Sequence, residues 1–147
     1  MTNIVKSAAT GFAAGAAATV PMSAGFSIAQ WLGLIRQLPP RKAVLSVSPR
    51  LREPERTQVA TISHYLVGGS AGAVYGVVTR VVPAGIGTGI LFGLLVWLTG
   101  YEVVMPAATG MPKAHRDGRR RAGSILVAHI IFGAALGGIM AAGRKGR

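Results

Sequence analysis

Charge is missing from four long stretches of this chain, and that absence restricts its possible folds more than any motif does. No ionisable side chain occurs from Ser7 to Ile35. Gln58 to Thr79 holds only His64 among acids, bases and histidines, Pro83 to Met105 only Glu102, and Ala122 to Gly143 only His129. Roughly 20 helical residues, rising about 1.5 Å each, cross a hydrocarbon core of about 30 Å. The stretches therefore read as membrane spans at about 7–35, 57–79, 83–105 and 122–142. Basic loops at 36–56 and 106–121 join them. Half of the 147 residues are hydrophobic and 14% are charged, against roughly 25% in soluble domains. The expected fold is all-α: a polytopic membrane four-helix bundle, one membrane domain over 1–147.

The net charge of +12 does not make this a nucleic-acid binder. Its Lys and Arg residues sit in the connections and tails, without aromatic interleaving or a recognisable binding module. Basic loops beside apolar spans are ordinary for membrane topology. The absence of cysteine excludes disulfides, thiolate metal sites and cysteine nucleophiles. The first uncharged stretch runs near thirty residues, too long for a typical signal-peptide core of about 7–15, so cleavage is not expected.

Local signals punctuate the spans. Pro21 should kink the first, Trp31 lies near its end, and Leu38-Pro39-Pro40-Arg41 should stop it. The segment from Arg41 to Arg56 reads either as a partly helical interfacial loop or as an ordinary loop broken by Pro49 and Pro54. Pro54-Glu55 starts the second span, and Met105-Pro106 should end the third. The two long loops hold eleven of the basic residues and the opposite side five, Arg147 among them. The excess of positive charge predicts cytoplasmic loops and both termini outside. Arg41, Lys42, Arg119, Arg120 and Arg121 are the expected contacts to anionic lipid headgroups.

One pattern occurs twice: His64-x3-Gly68-x3-Gly72 and His129-x3-Gly133-x3-Gly137. Steps of four place a histidine and its glycines along one helix face. Gly76 extends the first stripe, and Gly85, Gly89 and Gly93 form another in the third span. Lipid supplies no hydrophobic drive for helix association, so close backbone packing must do so. The glycines therefore predict helix-packing faces. Each half reads as a hairpin of glycine-bearing span, basic loop and His-x3-Gly-x3-Gly span, which suggests a parallel repeat. Duplication and a shared packing need both account for it.

By residue count, His64 and His129 lie roughly 10 Å in from the loop side, and Glu102 roughly 5 Å. Tyr65 and Tyr101 are nearby in sequence. Ionisable groups inside spans are candidate functional residues. The leading reading of this cluster is interhelical polar bonding, with Glu102 accepting from a histidine, Tyr101 or the Arg119–Arg121 run. A proton-responsive or ion-conducting site is the alternative. A zinc or iron site is a weaker one, because the ligands are scattered and no paired-carboxylate or His-Glu-x-x-His motif occurs. No serine sits in a nucleophile elbow, and the glycine stripes lack the strand–turn–helix context of a phosphate cradle. No catalytic residue, metal or cofactor is assigned.

Pro21-Met22, Leu38-Pro39-Pro40-Arg41, His64 with Gly68, Gly72, Tyr75 and Gly76, Gly93 to Trp97 with Tyr101, and His129 follow in an order that resembles small bacterial inner-membrane proteins of the YagU-like kind. That resemblance implies a four-helix membrane fold and no established activity. The expected role is that of an accessory, structural or stress-related membrane protein acting through helix packing, self-association or a membrane partner. A small transporter or channel subunit using His64, Glu102 and His129 is the rival. A membrane-embedded enzyme comes third, and it should show a lipid- or quinone-sized cavity beside the histidines.

Overall fold

The computed structural model describes residues 2–145, so Arg147 of the orientation argument lies outside the described residues. Every regular element among these residues is a helix, and none is a strand. Helix α1 spans Thr2–Trp31 and continues through Pro21. It stops four residues before the expected end at Ile35, because Gly33 adopts φ 72°. There the Gly33 N–H donates to the Gln30 carbonyl at 3.0 Å, and the Leu34 N–H to the Ala29 carbonyl at 2.9 Å. This is a helix end that glycine's left-handed conformation makes possible.

Pro39 and Pro40 do more than follow a finished helix. They open a second one, α2, Pro39–Val47, since proline's fixed φ and missing N–H suit a first turn. The connection is thus partly helical, and it buries Val44. Helix α3 covers Glu55–Val78 and starts at the expected Pro54-Glu55.

Helix α4, Ile86–Thr99, does not end at Met105-Pro106. It runs into a π-helical turn, Gly100–Val104, and then into α5, Met105–Thr109. Pro106 falls in the first turn of α5, where its missing N–H costs least. A short 3-10 turn at Ala114–Arg116 precedes α6, Arg119–Lys145. That last helix begins before Ala122 and takes the three arginines into its first turn.

Asn3–Trp31, Ile86–Thr109 and Arg119–Arg144 are long and apolar enough to cross a membrane. Helix α3 is comparably long but falls outside that group. Its first turns carry Glu55, Arg56, Thr57, Gln58 and Thr61, and its middle is rich in glycine and serine. Of the expected four-span bundle, the described residues thus show an all-helical fold with three helices of spanning grade.

Helices α1 and α3 pack closely, and so do α4 and α6. A Cβ placed on Gly15 would lie 2.7 Å from the Gly72 Cα, and one on Gly89 would lie 2.7 Å from the Gly137 Cα. In the reverse direction, a Cβ on Gly72 meets the Gly15 Cα at 2.6 Å, and one on Gly137 meets the Gly89 Cα at 3.0 Å. The two hairpins therefore share one packing register. Helix α1 also packs along α6, around Ala18, Phe26, Phe132 and Leu136. Helices α3 and α4 barely touch. They meet near their connecting turn, where the Tyr75 hydroxyl lies 3.0 Å from Thr88 Oγ1 and the Tyr75 and Phe92 rings are 5.1 Å apart.

Candidate functional site

Away from that turn, the separation of α3 from α4 leaves a cavity of about 260 Å3 at the end of the bundle carrying the two long connections. Met22 and Phe26 of α1, Val67 and Ala71 of α3, Val96 of α4 and Phe132 of α6 line its sides. Pro39, Pro40 and Val44 of α2, with Met111, line it from the connections. The shared register carries through to this lining. Counted from the packed glycines, Met22 and Phe26 correspond to Val96 and Gly100, and His64 and Val67 to His129 and Phe132. All eight line the cavity. Gly100 stands where Phe26 stands in the first hairpin, and a Cβ there would meet nothing within 4 Å. The repeat breaks at this point by losing a large side chain.

His64, Tyr101 and His129 reach this common space. Nδ1 of His129 lies 2.8 Å from the Ile125 carbonyl one turn earlier. The His64 ring lies 5.9 Å from that of Phe26, tilted by 47°, and its Nε2 is buried without a hydrogen-bond partner. Tyr65 lies instead on a second cavity of about 230 Å3, with Ser23, Ser27, Arg41, Thr57 and Thr61.

Glu102 does not join the histidines. Its carboxylate lies 3.2 Å from Nδ1 of His115 and accepts the His115 backbone N–H at 3.3 Å. Tyr101 and Glu102 are neighbours, so they project about a quarter-turn apart; with Tyr101 facing inward, Glu102 turns to the loop. No group of three His, Asp or Glu side chains that could hold a metal ion exists among the described residues.

Tyr101 is held by a residue that sequence reasoning missed. Its hydroxyl donates to Asp117, which also accepts from Arg121 Nε at 2.7 Å and lies 3.7 Å from Lys42 Nζ. Arg121 Nη1 donates to the Gln37 carbonyl at 3.0 Å. The Asp117 side chain is only 10% exposed. This hub ties α2, the π-helical turn and the start of α6 together over the cavity. An acid among basic residues with an arginine four positions on was the available signal. Trp97 packs edge-on against Tyr101 at 6.3 Å.

The other basic residues divide. Arg41 pairs with Glu53, whose carboxyl also accepts from Thr57 at 2.7 Å. The hydrogen bond from Thr57, and then that of Arg41, hold the Glu53 carboxyl below the usual carboxylate range. Arg119 and Arg120 are exposed and in no ion pair among the described residues.

The packing glycines stand as follows. Gly68 faces Thr19, Gly72 and Gly76 face the Gly11 and Gly15 backbone, and Gly89 and Gly93 face that of His129 to Gly137. Gly133 faces Gly89 and Ile90. Gly85 differs. It caps α4 in extended conformation, and a Cβ there would meet only Thr88 at 3.8 Å.

These features define an all-helical protein of glycine-seamed hairpins with three helices apolar enough to span a bilayer. The chain belongs to a family of unknown function, DUF6789, matched over residues 5–145. No curated protein matches it. No solved structure does either.

Proposed function

We propose that this is a small integral protein of a bacterial inner membrane whose two hairpins enclose a chamber for an apolar chain drawn from the bilayer. In this reading all four long helices cross, α3 included, with the basic connections in the cytoplasm and the termini outside. Arg119 and Arg120 face anionic headgroups. The YagU-like order of motifs supports the inner-membrane assignment.

The observation that carries the proposal is the 260 Å3 cavity beside the unjoined edges of α3 and α4. It approaches the lower end of small-molecule sites, about 300–1,000 Å3, and shares their make-up of apolar walls with a few polar groups. No Asp, Glu, Lys or Arg lines it. A protein built only to pack, as a purely accessory role would have it, leaves this chamber without a purpose. An ion path would call for the carboxylate, and Glu102 is turned to His115.

A long-chain methyl ether bearing a diazirine tests the reading. Photolysed with the protein in lipid nanodiscs, it is expected to label the interior residues Met22 and Phe132 saturably. Gly100→Phe adds a ring at a position that lines the chamber and where a Cβ meets nothing within 4 Å. It should cut that labelling at least fivefold at unchanged melting temperature. Equal interior labelling in both proteins would defeat the proposal.

A further inference from the structure

Resting on that chamber, we infer that its ligand carries an uncharged hydroxyl head, seated against His129, and a single apolar chain leaving between α3 and α4. Nδ1 of His129 lies 2.8 Å from the Ile125 carbonyl. A carbonyl only accepts, so Nδ1 holds the proton and donates. The neutral ring then presents Nε2 as a lone pair, an acceptor that needs a donor. His64 borders both this chamber and the second cavity, but its Nε2 is closed off within the protein. A hydroxyl on the ligand is a small uncharged head that can donate to Nε2 of His129.

The remaining lining selects against other heads. Tyr101 already gives its proton to Asp117, so it does not compete for His129. Ser63, the other polar side chain of the wall, can only add to a hydroxyl's bonds. A carboxylate, phosphate or ammonium would be dehydrated there with no opposite charge to meet it, at a cost of several kcal/mol. A ketone or ether offers no proton to Nε2 of His129. The chain's route out runs past Val67, Ala71, Val96 and Gly100, where α3 and α4 leave the bundle open. The ligand class is therefore a long-chain alcohol or a similar neutral single-hydroxyl lipid.

The experiment compares diazirine-bearing probes of equal chain length in nanodiscs: a primary alcohol, its methyl ether and the matching fatty acid. The alcohol should half-saturate labelling of Met22 and Phe132 at a concentration at least tenfold below the ether, and the acid should label least. His129→Phe should erase the alcohol's advantage while leaving ether labelling in place. Equal affinities for alcohol and ether would overturn the hydroxyl assignment while leaving the chamber standing. Absence of interior labelling by every probe would remove the chamber itself. Preference for the acid, or an alcohol preference that survives in His129→Phe, would also overturn the inference. Should His129→Phe melt early, the wild-type ratio of alcohol to ether decides alone.

Discussion

The seam between α1 and α6 is closed, and the seam between α3 and α4 is open, although the shared packing register makes them counterparts. In the first, Ala18, Phe26, Phe132 and Leu136 fill the space between helices. In the second, contact is sparse and includes Tyr75, Thr88 and Phe92 near the turn, and the cavity opens beyond it. The difference follows from a few residues. Gly100 stands where the register would place a counterpart of Phe26, and the π-helical turn beginning there directs Tyr101 to Asp117. Extra-residue turns of this kind inside a helix frequently mark functional positions. A nearly symmetric framework has thus been opened on one side only.

The comparison can be broken first at its framework. Gly72→Leu and Gly137→Leu each drive a side chain into backbone already under 3.0 Å from a Cβ, where no flexible group can yield. Overpacking costs typically 1–3 kcal/mol, and these rigid sites should lose about 3 kcal/mol or more. Gly143→Leu, which meets nothing within 4 Å, should change little. Thermal unfolding in detergent measures this; melting of all three at the wild-type temperature would show that the seams do not depend on glycine.

Next in size is the hub over the open side. Asp117→Ala strands Arg121 and Tyr101 at a side chain only 10% exposed. The expected loss is about 3 kcal/mol at most, reduced to the extent that water reaches the guanidinium. Amide exchange should accelerate in residues 100–121 and leave the α1–α6 seam protected. Uniform acceleration across both seams would contradict a local role for the hub.

The smallest effect concerns Glu53. Its carboxyl is depressed in the folded chain by Thr57 and Arg41, so the junction it holds is complete above the ordinary carboxylate pKa. The junction is lost only as pH falls through the lower, folded value. Exchange at residues 51–57 should rise at that acid end, while the α1–α6 seam stays unaffected. A flat pH response would remove Glu53 from the junction.

Much of the framework could be read from residue order. Charge segregation located the long helices because unpaired charge is costly in hydrocarbon, and steps of four marked the glycine faces. Which stripes mate was not legible, since Gly11, Gly15, Gly89 and Gly93 offer similar grooves to any partner. The early stop at Gly33 was concealed by apolar residues that continue to Ile35. Adjacent polar residues hid the site: either Tyr101 or Glu102 could have faced inward, and only the π-helical turn decides it. His115 and Asp117 lay in a loop where spacing says nothing about reach, so the partners of Glu102 and Tyr101 could not be named in advance.

The glycine seams also have a mechanical consequence. Where backbone rests on backbone, there are few side-chain rotamers to exchange and little slack to take up. Each hairpin then behaves as a stiff board. The soft motion left to the molecule is a swing of one board about the line where α1 meets α6, which widens or narrows the gap between α3 and α4. The protein resembles a book with rigid covers, its spine at α1 and α6, and the Asp117 cluster is the clasp.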